Sequence, residues 1–467
     1  MSGLEELALR VQLASFPGPV LPTEWGDLLE EGLGGICLFG SNLTGDPAEV
    51  AGLTAAIRAH RADALVATDE EGGDVTRLHS RDASPVPGPA VLGVVDDLAL
   101  TEAVGRLVGQ ELATLDIDLA LGPVADVNSN PDNPVIGTRS FGGDSELVGR
   151  HVAAWLAGLQ SAGVAACAKH FPGHGDTAQD SHLALPVLDV PVALLRRREL
   201  LPFAAAVQAG VAAVMTSHLV VPELDPELPA TMSAPVLSLL RDDLGYDGLL
   251  VSDALDMAGA SAGRGIPEAA VLALVAGADL LCTGSDKDAS LVREIQAAVV
   301  AAVRSGRLGQ ERLEQAAARV AGLTRGGSSA SVPGDLSGRL LDACRTALVV
   351  EGELPHLRGA RIVSVATEAN IAVGVGRWGL SPDVVVSAGD ALPAGPVVVQ
   401  VRDAHRRPEV AAMLAAARGP VLVVEWGWPG PRTGWEQAPH ARVCTRGSSR
   451  PAITAVEELV EKAGWER

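Results

Sequence analysis

What most limits the folds open to this chain is an alternation. From the N-terminus to Thr324, short apolar runs bounded by turn residues take turns with longer stretches of helical pattern. The run Leu7–Ala14 is followed by a helical stretch around Glu24–Glu31, and Gly35–Phe39 by Asp46–His60. Ala64–Thr68 leads through a loop-rich insertion to a helix over Leu98–Leu115, and Leu119–Val124 through a second long loop to Glu146–Ala162. Val164–Ala168 precedes Val192–Ala209, Ala212–Thr216 precedes Ala234–Leu244, and Leu249–Ser252 precedes Glu268–Ala276. Leu280–Thr283 is followed by helices at Lys287–Ser305 and Glu311–Thr324. Alternating strand and helix implies a parallel sheet with right-handed crossovers. Eight such units predict a closed (β/α)8, TIM-like barrel over residues 1–325. An open doubly wound sheet is the competitor, but no glycine-rich phosphate turn of the Rossmann kind follows any run.

The stretch Gly326–Gly334 is rich in Gly and Ser, and residues 326–335 read as a linker. Beyond it, Thr346–Val350, Arg361–Ala366, Asp383–Ser387, Val397–Val401, Val421–Glu425 and Arg442–Thr445 read as strands, with helices at Pro408–Arg418 and Pro451–Ala463. Residues 336–467 are therefore expected to form a smaller α/β sandwich domain. Trp378, Trp426, Trp428, Trp435 and Trp465 lie in it and read first as core anchors.

The net charge of −22 repels nucleic acid and anionic membranes, and no Lys/Arg run breaks the pattern. No segment offers the ~20 apolar residues that span a bilayer. The first residues lack the basic start and apolar block of a signal peptide. Five scattered cysteines, an odd number, look like buried reduced thiols. The expectation is a cytoplasmic protein; monomer and homodimer are both open.

Four strand ends carry polar groups where barrel enzymes keep their chemistry. The third is followed by Asp69–Arg77, the fourth by Pro123–Asn128 and then Gly137–Phe141, and the seventh by Asp253. The fifth enters Lys169-His170-Phe171-Pro172-Gly173-His174-Gly175-Asp176-Thr177, continued by Asp180-Ser181-His182. One Lys, three His and two Asp on a glycine-bent loop suit an active site better than a scaffold. Taken alone, Asp253 also suits a helix N-cap and His182 a satisfied loop histidine. Taken together, a carboxylate at the barrel mouth can attack an anomeric carbon, and an imidazole can protonate the leaving oxygen and later deprotonate water. Asp180 could fix the tautomer of His182, while Asp69, Arg77, Arg139 and Lys169 supply what hydroxyl and amide recognition needs.

These residues resemble glycoside hydrolase family 3 β-N-acetylglucosaminidases. The similarity also covers Gly34–Phe39, Ile136–Gly142, Met215–His218 and Ser252-Asp253, in order along the barrel. The resemblance implies Asp253 as nucleophile, His182 as acid/base and Asp180 as its partner, with Asp69, Arg77, Arg139, Lys169 and His170 in the sugar pocket. It implies a retaining enzyme with no cofactor and no metal, acting in the cytoplasm on a small saccharide or muropeptide from recycled peptidoglycan. Asp74 stands where members often have Arg, and Ala254 where Asp or Ser is common. The second domain could contribute to the site or serve only as packing.

Other chemistries fit parts of the pattern. A phosphorylase would use the same site with phosphate in place of water. Lys169 at a strand end could form the Schiff base of a class I aldolase, and His170, His174, Asp176 and His182 have spacings possible for zinc. A sugar-binding relic without catalysis is the last alternative, and the presence of both Asp253 and His182 argues against it.

Overall fold

A computed structural model describes residues 3–179, 185–323, 336–367, 372–374 and 376–466. The expected linker, 326–335, lies outside them, as do Asp180 and His182. Eight strands make the first sheet: β1 (Gln12–Ala14), β2 (Gly35–Leu38), β3 (Leu65–Thr68), β4 (Leu119–Ala120), β5 (Ala165–Phe171), β6 (Ala213–Thr216), β7 (Leu249–Val251) and β8 (Leu281–Cys282). From β1 to β7 each strand pairs in parallel with the next, and β8 pairs in parallel with β1. Between β7 and β8 a parallel bridge joins Val251 to Leu280, and Ser252 N donates to Leu280 O at 2.8 Å. The sheet therefore closes on itself as a TIM-like barrel.

The strands are short apolar runs because both their faces are buried. Inside the barrel, Leu13, Cys37, Ala67, Leu119, Cys167 and Met215 pack together. Outside, Ile36, Val66, Ala120 and Ala166 meet the apolar stripes of surrounding helices such as Leu98–Thr114 and Ser145–Ser161. The backbones of those two helices approach closely at Gly105, where an added Cβ would come within 2.2 Å of Trp155 O.

Two sequence expectations shift. Leu7–Ala14 is not one strand: Gly3–Arg10 is helical, and only Gln12–Ala14 is extended. Leu4, Leu7 and Ala8 follow the i, i+3, i+4 spacing of a helix face and pack with the helices Ala289–Arg304 and Gln310–Ala321. Thr346 likewise belongs to a helix, Leu336–Ala347, and the strand behind it is Val349–Glu351.

The second sheet has six strands: β9 (Val349–Glu351), β10 (Arg361–Ala366), β11 (Val384–Ser387), β12 (Val397–Val401), β13 (Val421–Glu425) and β14 (Ala441–Cys444). Their order is β9-β14-β13-β12-β10-β11, all parallel except β9. One face packs on helices Leu336–Ala347 and Arg450–Lys462, the other on Pro408–Ala416, which makes an α/β sandwich. Trp426, Trp435 and Trp465 are buried in these cores. Trp378 lies beneath the Arg402 guanidinium, 4.5 Å from ring centroid to Cζ.

The carboxyl ends of these strands meet the barrel mouth. Ala372, beyond β10, packs with Val124, Val135 and Ile136 of the barrel. Ser448, beyond β14, donates its N–H to Asp74 at 2.9 Å, and Arg402, beyond β12, lies 3.9 Å from the same carboxylate. Asp74 also accepts from Thr138 Oγ1 at 2.7 Å. Asp74 is thus a joint between the two sheets.

Candidate active site

A cavity of about 320 Å³ opens at the carboxyl ends of the barrel strands. Asp69, Arg77, Arg139, Lys169, His170 and Asp253 all line it, so the structure brings together every site residue expected from sequence that it describes. Lys169 and His170 are consecutive, and in a regular strand they would face opposite ways. A register shift between Ala168 and Phe171 breaks that alternation, and both side chains reach the cavity. The loop beyond then packs without clearance. Gly173 (φ +122°) lies against Glu199, and a Cβ at Gly175 would sit 1.8 Å from Val127 O.

One wall is a ladder of alternating charge. Lys169 Nζ sits 2.7 Å from both Asp69 Oδ1 and Glu71 Oε1. Arg77 Nη2 reaches Asp69 Oδ2 at 3.2 Å, and Arg139 grips Glu71 with Nε at 2.9 Å and Nη2 at 2.8 Å. Burial alone would raise the carboxyls. The cations overcome it: Lys169 and Arg77 hold Asp69 well below the usual range, and Arg139 and Lys169 pull Glu71 to about 2. Burial works against the Lys169 ammonium too, yet Asp69 and Glu71 raise its pKa. With a carboxylate at 2.7 Å on two sides, Lys169 is an ion-paired cation and not the free amine that a Schiff base needs, which speaks against the aldolase alternative.

Below the ladder, the Asp126 carboxylate accepts from His170 Nδ1 at 2.7 Å and from the backbone N–H groups of His170 (3.2 Å) and His174 (2.7 Å). With Nδ1 as donor, His170 Nε2 faces Arg139 Nη2, 3.5 Å away, as an acceptor. His174 also lines the cavity; burial lowers its pKa to about 4, and its Nδ1 meets Thr177 Oγ1 at 2.7 Å. Asp176 is engaged by Arg198 (2.7 Å) and Ser129 (3.0 Å).

Asp253 stands beyond β7. Its Oδ1 accepts from Ala254 N at 2.8 Å, and no helix follows directly, so it is not the N-cap it could have been. The buried His218 donates from Nε2 to Ala254 O at 3.0 Å and fixes the turn from behind. The second domain contributes as well: Arg77 donates to the carbonyls of Ala372 (2.8 Å) and Val373 (3.2 Å), and Ala372 lines the cavity.

Residues 16–323 match the glycosyl hydrolase family 3 N-terminal domain. The chain belongs to glycoside hydrolase family 3. Beta-hexosaminidase A of Pseudoalteromonas piscicida is 34% identical over 331 residues, covering 65% of this chain and 55% of that protein. A family 3 beta-N-acetylglucosaminidase from Paenibacillus sp. str. FPU-7 superposes with a TM-score of 0.87 at 30% identity, over 99% of this chain and 97% of that one. NagZ from Neisseria gonorrhoeae, solved with N-trifluoroacetyl-D-glucosamine, superposes with a TM-score of 0.56 at 32% identity, over 67% of this chain and 97% of that one. The protein is a glycoside hydrolase with a family 3 barrel and a further α/β domain. No helix among the described residues is long and apolar enough to cross a membrane.

Within this family 3 site, the sequence gives no individual role to Glu71 or Asp126, and His174 stands in it only as a possible zinc ligand. Glu71 stands between Lys169 and Arg139 in the charged wall, Asp126 lies below it on His170, and His174 shares the cavity. Glu71 was within reach of pattern reasoning. In Asp69-Glu70-Glu71 the first and third side chains of an extended segment share a side, and they meet the cations. Glu70 turns away to the N–H groups of Arg77 and Leu78, and burial raises it to about 7. Asp126 gave no such signal, because its partner lies 44 positions away.

The ladder predicts an acid transition. Glu71 has a folded pKa depressed from 4.5 to about 2, so its contribution is complete above pH 4.5 and drains away as pH falls toward 2. The loss for this group is on the order of 3 kcal/mol. Urea midpoints should drop between pH 5 and pH 3, and Glu71→Gln should flatten that slope. Lys169→Met leaves two buried carboxylates without their shared cation and should cost roughly 3–5 kcal/mol at pH 7. An unchanged unfolding midpoint would show that the ladder is not ionised.

Proposed function

We propose that this protein is a retaining exo-β-N-acetylglucosaminidase. The observation that carries the reading is the placement of Asp253 on the same cavity as the Asp69–Lys169–Glu71–Arg139 wall. That volume is at the small end of the ~300–1,000 Å³ of ligand pockets, which suits one terminal sugar better than an oligosaccharide. Charged donors and acceptors along the wall grip hydroxyls and the acetamido group, and the Asp253 carboxylate addresses the anomeric carbon. In the first step an Asp253 oxygen bonds to that carbon while the glycosidic oxygen leaves with a proton from His182. In the second, His182 takes a proton from water, whose oxygen displaces Asp253 and restores the original configuration. Asp180 holds the other nitrogen of His182 and fixes its tautomer. The roles of Asp180 and His182 come from the sequence resemblance.

Similarity to enzymes described as beta-hexosaminidases and beta-N-acetylglucosaminidases supports the choice of sugar. Five buried free cysteines fit a reducing compartment, so we assign the enzyme to the cytoplasm, acting on small saccharides or muropeptides. The test is a panel of nitrophenyl glycosides with and without phosphate. The N-acetylglucosaminide should be cleaved in preference to the glucoside, with β-N-acetylglucosamine as first product. Preference for the glucoside overturns the specificity, and a sugar phosphate as product overturns hydrolysis in favour of phosphorolysis.

A further inference from the structure

The cavity has a second wall, of which the mechanism above uses a single residue. The ladder of alternating charge comes from β5 and the loops after β3 and β4. The loops after β7 and β8 face it across the barrel and bring Asp253, Asp256, Met257 and Ser285 to the same cavity. The two walls differ in depth. Glu71, Lys169 and Arg139 are 1%, 2% and 4% exposed, whereas the Asp256 side chain is 23% exposed. The ladder is therefore the closed end of the cavity, and Asp256 stands at its mouth.

Asp256 is fixed there from two sides. Lys287 Nζ lies 2.7 Å from Oδ2. The backbone at Gly284 (φ +97°) runs so close that a Cβ there would come within 2.1 Å of Asp256 Cγ. Among the described residues, Asp256 Oδ1 accepts no hydrogen bond and the Ser285 hydroxyl makes none, so the mouth presents one acceptor and one donor. Lys287 itself does not line the cavity. The Lys and Arg side chains that do, Arg77, Arg139 and Lys169, are all paired with Asp69 or Glu71 on the ladder.

A terminal sugar held at the closed end, with its anomeric carbon at Asp253, sends its aglycone toward the mouth. We propose that Asp256 and Ser285 form an aglycone subsite for an uncharged sugar. Asp256 accepts a hydroxyl or amide hydrogen from that sugar, and Ser285 donates to one of its oxygens. The inference rests on the function proposed above and narrows its substrate to saccharides whose second unit bears no acid. An aglycone with a carboxylate meets Asp253 and Asp256 with no Lys or Arg of the cavity left to balance it, and such an unmatched like charge is a device against the wrong partner.

The experiment uses the full chain and three substrates with N-acetylglucosamine as the terminal sugar. It is β-linked to methanol, to a second N-acetylglucosamine, or to an N-acetylglucosamine carrying a 3-O-lactyl ether, which adds a carboxylate. All three leaving groups are alkyl alcohols with the same need for a proton, so ratios of kcat/KM report contacts with the aglycone. The wild type should favour the plain disaccharide over each of the others by about tenfold or more. Asp256→Ala should lower the ratio of plain disaccharide to methyl glycoside about tenfold, and Ser285→Ala about threefold. Asp256→Asn should shrink the discrimination against the acid-bearing disaccharide about fivefold, because it removes one like charge. A disaccharide-to-methyl ratio that does not move, equal losses on all three substrates, or a wild-type preference for the acid-bearing disaccharide overturns the inference, while cleavage of the methyl glycoside upholds the function. A wild-type enzyme inert on all three overturns the function and this inference with it. If Asp256→Ala does not fold, Ser285→Ala and Asp256→Asn decide on the same ratios.

Discussion

Asp253→Asn should abolish turnover, by roughly ten-thousandfold or more, while leaving the fold and sugar binding in place. The reason is chemical. An amide of the same shape keeps the contact with Ala254 N but has no anionic oxygen to form the glycosyl ester. Asp253 is only partly buried, and no large apolar contact is lost in the exchange. Thermal unfolding should therefore move little, in contrast to Lys169→Met. A mechanism-based fluoroglycoside should add one glycosyl mass to the native enzyme and none to the variant. With Asp253→Ala, azide should restore turnover and give a glycosyl azide of inverted configuration. A variant that retains the native rate ends the assignment of Asp253 as nucleophile.

His182→Ala should have an effect whose size depends on the aglycone. Read on kcat/KM, which reports formation of the intermediate, a dinitrophenyl substrate departs without needing a proton and should lose less than about threefold. An alkyl or sugar aglycone needs that proton, and the loss should be about 10²–10⁴-fold. Equal losses on both classes remove His182 from the acid role. Asp180→Asn should give a weaker version of the same pattern. His170 provides the internal control. It pairs with Asp126 as a histidine–carboxylate dyad of its own, so His170→Ala should weaken sugar binding alike for good and poor leaving groups. A leaving-group-dependent loss at His170 would move the acid role to that dyad.

Much of the barrel was legible in the sequence because its strands are buried on both faces and their apolar runs stand out between amphipathic helices. An apolar run misleads where two elements touch. Leu7–Ala14 spans a helix end and a strand because Leu7, Ala8 and Leu9 of the one and Leu13 and Ala14 of the other are apolar and only Val11 separates the two elements. The candidate site was legible in its residue types. Lys169, His170, Asp69, Arg77, Arg139 and Asp253 come from separate stretches of the chain, and all line one cavity.

Sequence alone determined the alternation that closes a barrel, the family, and the identity of most groups at its mouth, since each of these is written in local order and spacing. Only the tertiary structure decided which acid meets which cation. It separated Glu71 from Glu70 and gave Asp126 to His170. It also made the second domain part of the site, through Ala372 and Val373 on Arg77. Those pairings join residues as far as 296 positions apart. Their energies depend on distance and burial, which no local pattern of residues encodes.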